Sequence, residues 1–257
     1  MHKVCLNKMP RILTCINQVS NIFKEPSKKA EVVSQILYGE QFSVQKSIGI
    51  FYKGYCIFDN YPGFVLKKNF KKINIKNSYR IKAKETSLYQ GNLSFKKTNK
   101  KLLFNSKVSI LKRDNNFIKI NKFWIKNNSI NKIKNKTNNF LDDISYFLKT
   151  KYLWGGNTIK GIDCSGLVQE LFKSINKKCP RDSKDQMVYF KKNVPLHNIR
   201  RGDLLFWKGH VAIAINQKNL VHAYGPKKRV IIMPIKKTIN ILLKKNNLKV
   251  LAIKRPL

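Results

Sequence analysis

A chain of 257 residues, 42% hydrophobic and 11% aromatic, can bury a core and suits two or three compact units, which excludes an intrinsically disordered protein. Its formal net charge of +40 is spread along the whole length together with Asn and Ile; clustered Arg, a helix-turn-helix pattern and an aromatic RNA-binding signature are missing, which argues against nucleic acid as the ligand. No run approaches the ~20 apolar residues of a membrane span, and five cysteines without a CxxC or a His/Cys cluster at zinc spacing indicate neither a disulfide framework nor a metal site.

At the start of the chain, Lys8, Pro10 and Arg11 interrupt any apolar stretch, so no secretory signal is read there. The default location is cytoplasmic, with the cell envelope left open. Residues 11–126 are short β-branched and aromatic runs broken by Gly, Asn, Lys and Pro, the texture of small antiparallel barrels. A weak internal repeat divides them: Leu37-Tyr-Gly-Glu-Gln-Phe-Ser-Val44 resembles Leu103-Phe-Asn-Ser-Lys-Val-Ser-Ile110, and each is followed by an aromatic-rich pair of strands. Two SH3-like barrels are therefore expected at residues 11–72 and 78–126, then a Lys/Asn-rich linker at 127–139.

From 140 onward the pattern changes to an α+β layout. Phe140, Leu141, Ile144, Phe147 and Leu148 recur at helical spacing and predict a helix leading into a loop at Tyr152. Leu167, Val168, Leu171, Phe172 and Ile175 predict a second helix that starts at Cys164 with Asp163 as its N-cap. Arg201-Gly202-Asp203 reads as a turn before the apolar run Leu204–Trp207. His210 opens the run Val211–Ile215, and Asn216–Asn219 turn the chain into Leu220–Ala223. A loop centred near Asn216 would set His210 opposite His222. Arg229–Ile235 and Lys249–Lys254 complete the sheet.

These positions describe a thiol nucleophile. A cysteine in the first turn of a helix faces unpaired N–H groups and the positive end of the dipole, which can lower its pKa from about 8.5 to roughly 3.5–7.5. His210 can take the thiol proton and His222 can accept a hydrogen bond that fixes the His210 ring. Tyr152 could lie beside the nucleophile, and the first N–H groups of the helix can receive an oxyanion. The plainer readings are a buried hydrophobe for Cys5, Cys15, Cys56 and Cys179, a surface position for His2 and His197, and a solvated ion pair for Arg181 and Asp182.

The ordered set Tyr152-Leu-Trp-Gly-Gly, Asp163-Cys-Ser-Gly-Leu-Val, Pro180-Arg-Asp-Ser with Gln186, Gly202-Asp-Leu, His210-Val and Val221-His-Ala resembles the NlpC family, over about the last 120 residues. The family are papain-like bacterial cysteine peptidases that cut γ-D-glutamyl-diamino-acid bonds in peptidoglycan stem peptides. The resemblance implies Cys164 as nucleophile, His210 as base and His222 as orienting residue. It implies Tyr152 and the Cys164 N–H for the oxyanion, and Asp163, Ser165, Arg181, Asp182 and Ser183 along the substrate pocket. Two barrels ahead of such a domain, here residues 140–257, are similar to the dipeptidyl-peptidase branch, in which the first barrel walls off the active site and helps recognise a free amino terminus. Glu40 and Tyr61 are the candidates for that contact. The expected fold is thus an α+β papain-like catalytic domain preceded by two all-β SH3-like barrels, with stem peptides or muropeptides as partners and no cofactor. Which diamino acid is cut and the oligomeric state stay open. The alternatives are a Cys/His amidase or acyltransferase on another amide or ester, and a non-catalytic cell-wall-binding protein.

Overall fold

The computed structural model describes residues 11–73, 77–91, 94–133 and 139–256. The first barrel is a seven-stranded antiparallel sheet running from Arg11–Cys15 to Phe70–Lys71, with its first and last strands paired. Its inward positions, Leu13, Cys15, Ile22, Ile36, Phe42, Val65 and Phe70, form one core. The second barrel is built from a five-stranded and a three-stranded sheet around Ile81, Leu102, Val108, Ile118 and Ile125.

The repeat is real at the level of backbone hydrogen bonds. Gly39 N–H donates to Cys15 O and Asn105 N–H to Ile81 O; Glu40 donates to Leu37 O and Ser106 to Leu103 O; Cys15 donates to Glu40 O and Ile81 to Ser106 O. Gly39 and Asn105 hold the same left-handed turn, at φ +80° and +66°. The copies also end alike, which moves one boundary. In the first, a 3-10 turn at Lys67–Asn69 leads into the closing strand; in the second, the turn is Asn127–Ser129 and the strand Ile130–Lys132 pairs with Tyr79–Ile81. Residues 127–132 therefore belong to the barrel and not to a linker. Of the expected linker, residues 134–138 lie outside the described residues, as do Cys5, His2 and the amino-terminal stretch.

The helix expected over 140–148 is a series of turns with a 3-10 segment at Ile144–Phe147, after which Lys149 adopts φ +65°. The apolar spacing is used, since Phe140, Leu141 and Phe147 are buried, but a run this short gains little from helix propagation. The catalytic unit is a six-stranded antiparallel sheet in the order Lys192–Asn193, Ala252–Arg255, Leu204–Trp207, His210–Ala214, Asn219–Tyr224, Arg229–Pro234. Helix α1, Cys164–Ser174, packs Leu167, Val168, Leu171 and Phe172 on the face carrying Val211, Ile213, Val221 and Ala223. The other face, with Leu205, Ala212 and Leu220, is covered by helix α2, Ile235–Asn246, which sequence patterning did not predict. Coverage on both faces explains why the central strands read as unbroken apolar runs. Among the described residues, no helix is long and apolar enough to cross a membrane.

Several contacts tie the first barrel to the catalytic unit, among them Arg181 Nε donating to Ser34 Oγ at 3.1 Å, Asn157 N–H to Gln35 Oε1 at 3.0 Å, and Gln169 Nε2 to Asp59 Oδ2 at 2.7 Å. The second barrel reaches the same helix through Asn105, whose Nδ2 donates to Glu170 O at 2.8 Å and Oε2 at 2.9 Å.

Candidate active site

Cys164 is the first residue of α1, and Asp163 caps that helix by accepting the Gly166 N–H at 2.7 Å. The capping turn leaves no room beyond Gly166: a Cβ there would stand 2.4 Å from Gly156 O, so the glycine of Asp-Cys-Ser-Gly is required by the neighbouring loop. On the opposite side, Trp207 and His210 pair across a two-residue turn in which Gly209 takes φ +70°. That tight hairpin delivers His210 at the very end of its strand, where the Cys164 Sγ meets the backbone N–H of Val211.

The two histidines lie on one face of the sheet and meet through His210 Nε2 and His222 Nδ1 at 2.9 Å. They are diagonal and not directly opposed, because Ile213 pairs with Val221 and Ala214 with Leu220, centring the turn one residue beyond Asn216. The His222 ring stacks on Tyr224 with centroids 4.6 Å apart and planes at 10°. Its Nε2 faces Met233 Sδ at 3.4 Å.

The resting charge state differs from the one the helix terminus predicts. Burial, followed by the charge of Asp163, pushes the Cys164 thiol up to about 12, against the lowering influence of the Val211 and Ser165 N–H groups and of Arg181. Burial also lowers His210 to about 4; burial and then His210 lower His222 to about 3. Desolvation outweighs the helix terminus because Cys164 is only 6% exposed. The resting pair is a neutral thiol and a neutral imidazole. Among the described residues no hydrogen bond joins Sγ directly to either ring, and such contacts commonly tighten only with substrate bound. Since the reactive form carries one proton shared by this pair, it is lost when His210 gains a second. The acid limb of kcat/KM is therefore expected near pH 4 rather than near 6.5. A pH–rate profile checks this, and a limb at the ordinary histidine value would count against it.

A cleft of about 900 Å³ opens over Cys164, bounded on one side by Ser165, Arg181, Asp182, Ser183 and Gly209 and on the other by Glu31, Asn60, Tyr61 and Phe64 of the first barrel. Tyr152 is half-buried; burial, then the charges of Cys164 and Asp163, hold its hydroxyl in the protonated, donating form. Tyr61 donates to Asp182 at 3.2 Å. Asp163 and Arg181 line the cleft, but their polar atoms are engaged elsewhere. Arg181 Nη1 donates to Asp163 Oδ1 at 3.0 Å and to Ser165 Oγ at 2.9 Å, while Asp163 Oδ2 also accepts the Gly155 N–H at 2.9 Å. Arg181 is thus paired with Asp163, in the interior, and not with its neighbour Asp182 at the surface.

Glu40 does not reach the cleft. It is 3% exposed at the junction of the two barrels with the far end of α1, where Lys173 Nζ lies 3.2 Å from Glu40 and 2.8 Å from Glu170. Burial opposes the Glu40 carboxylate, yet Lys173 and Lys107 hold it below the usual carboxylate range; burial pushes Glu170 up. The reason sequence matching misplaced Glu40 is that only domain docking decides which edge of the barrel meets the cleft. Two barrel carboxylates do line it: Asp59, whose Oδ2 is taken by Gln169, and the more exposed Glu31, whose Oε1 accepts from Trp154 Nε1 at 2.8 Å. Trp154 is 60% exposed, unusual for a residue of its size. Its place in the Tyr152 loop was the only signal available in the sequence.

The fold, with Cys164 at the start of α1 and the His210–His222 pair on the adjoining sheet, has a papain-like architecture with an SH3-type barrel at its cleft. Residues 149–244 match the NlpC/P60 family and residues 22–70 the bacterial dipeptidyl-peptidase SH3 domain; the chain carries an NlpC/P60 domain preceded by that SH3 domain. It is similar to a γ-D-glutamyl-L-lysine dipeptidyl-peptidase of Bacillus subtilis, 27% identical over 197 residues, covering 70% of this chain and 65% of the relative. It is also similar to a murein DD-endopeptidase/murein LD-carboxypeptidase of Escherichia coli K12, 36% identical over 89 residues, covering 32% of this chain and 47% of that protein. The chain thus spans less than two thirds of either relative. Its fold matches that of an NlpC/P60 family protein from Bacillus cereus with a TM-score of 0.82 at 19% identity, over 96% of this chain and 100% of that one.

Proposed function

We propose that this protein is a cysteine peptidase that hydrolyses the γ-D-glutamyl-diamino-acid bond of peptidoglycan stem peptides bearing a free N-terminal L-alanine. The observation that carries the reading is the cleft that Cys164 and the first barrel line together. As Sγ bonds to the scissile carbonyl carbon, its proton passes to the His210 nitrogen not engaged by His222, then to the departing amine as the C–N bond breaks. Water hydrolyses the resulting thioester. The Tyr152 hydroxyl and the Cys164 N–H receive the oxyanion. Ser165, Asp182, Ser183 and Tyr61 contact the substrate backbone, while Asp163 and Arg181 brace the nucleophile turn. Glu31, in place of Glu40, supplies the carboxylate for the substrate ammonium.

The preference for a free amine follows from charge and room. Acetylating the L-alanine removes the ammonium that Glu31 would meet and adds bulk beside Tyr61 and Trp154. Glu31 keeps 43% of its side chain exposed, so the low end of the range for a charged hydrogen bond applies, about 1.4 kcal/mol or a tenfold change. kcat/KM on L-Ala-γ-D-Glu-diamino acid is expected to exceed that on its N-acetyl form at least about tenfold, and Glu31→Gln is expected to erase most of the difference. Product analysis on the tripeptide and on intact sacculi tests the whole reading. Equal rates on both tripeptides remove the free-amine step, and absence of L-Ala-γ-D-Glu among the products removes the reaction.

A further inference from the structure

The histidine pair ends on a side chain that the proposed chemistry does not use. His222 is fully buried, and its two ring nitrogens face His210 Nε2 at 2.9 Å and Met233 Sδ at 3.4 Å. Met233 lies on the neighbouring strand, where Leu220 pairs with Met233 and His222 with Ile231, so Met233 stands diagonal to His222 on the same face. Tyr224 covers the ring plane and takes neither nitrogen.

A thioether has lone pairs and no proton to give. Beside it, His222 Nε2 is favourably placed only as N–H, so the lone pair of this neutral ring sits on Nδ1. His210 Nε2 must then be the donor in the histidine pair, and the His210 lone pair falls on Nδ1, the nitrogen left for a thiol proton. In the reverse arrangement His222 Nδ1–H donates to His210, two lone pairs face each other at Met233, and His210 Nδ1 already carries a proton. It cannot then act as a base. Both rings are neutral near pH 7, with burial holding them to about 4 and about 3, so their behaviour is decided by tautomer and not by charge.

We propose that Met233 is a positioning residue: its acceptor-only sulfur selects the Nε2–H tautomer of His222 and, through it, the His210 tautomer able to deprotonate Cys164. The inference rests on the assignment of His210 as base, and goes beyond it by naming what sets the proton order.

The test uses the whole chain with 15N-labelled histidine, since pyrrole-like and pyridine-like ring nitrogens have distinct shifts. In the wild type, Nε2 of both His210 and His222 is expected to be pyrrole-like and Nδ1 pyridine-like. Met233→Leu keeps size and apolarity. It is expected to give a tautomer mixture at His222, with the iodoacetamide labelling rate of Cys164 and kcat on the stem tripeptide each down about tenfold and KM nearly unchanged. Met233→Lys offers donors only and is expected to move the His222 proton to Nδ1, with kcat falling on the order of 10³-fold or more, as when a triad histidine is held in the wrong tautomer. A pyrrole-like Nδ1 on wild-type His222 overturns the proposal, as does a Met233→Leu protein with wild-type ring shifts and labelling rate. Ring shifts and labelling need no substrate. If the tripeptide is not cleaved while the tautomers are as assigned, the proposed substrate fails and the role of Met233 stands.

Discussion

Cys164→Ala is expected to lower kcat/KM on the stem tripeptide by about 10⁴-fold or more while the melting temperature stays close to that of the parent. Cys164 stands where the core meets the cleft and the substitution removes one atom, so little void is left. Iodoacetamide is expected to label Cys164 fastest among the described cysteines. Ground-state thiolate content does not explain that order, because burial raises the thiols of Cys15, Cys56 and Cys179 as it raises that of Cys164. The distinction is a neighbouring base and a 900 Å³ opening. Turnover at the parent rate by Cys164→Ala would end the nucleophile assignment, and faster labelling of Cys15 or Cys179 would end the argument from access.

The largest effect on stability is expected at Lys173. Its ammonium lies between the Glu40 and Glu170 carboxylates, with side-chain exposures of 7%, 3% and 1%. Lys173→Met leaves two carboxylates buried without their cation, a change that costs about 3–5 kcal/mol, and in a chain of this size it lowers the melting temperature by roughly 6–20 °C. The triple variant Lys173→Met, Glu40→Gln, Glu170→Gln is expected to recover most of the loss, since replacing a whole buried ionic group is far milder than breaking it. Thermal melts of the three proteins decide the matter. An unchanged midpoint for Lys173→Met would mean that the cluster is solvated and contributes nothing.

Much of this arrangement was legible in the residues, and what was not has definite causes. The start of α1 could be read because a cap, a nucleophile and an apolar face coincide within ten residues, all of it local. The histidine hairpin could be read for its existence but not its register: the Asn216 side chain accepts from the Lys218 and Asn219 N–H groups, an Asx turn that shifts the centre by one residue. Helix α2 escaped because Lys236, Lys237, Lys244 and Lys245 crowd its exposed side and only Ile235, Thr238 and Leu242 are buried. Glu40, Glu31 and the Arg181–Asp163 pair depend on which surfaces dock, and no periodicity within one segment encodes that.

The contacts between the first barrel and the catalytic unit divide labour in a way that bears on how such a protein can change. Every atom proposed to make or break bonds belongs to residues 152–222, whereas the far bank of the cleft is held in place by Ser34, Gln35 and Asp59 reaching Arg181, Asn157 and Gln169. On the proposed reading, bond making and the preference for a free amine are thus inherited on separate stretches of chain that meet across a hydrogen-bonded seam. Substitutions along that seam would widen the range of accepted peptides well before they dulled the thiol.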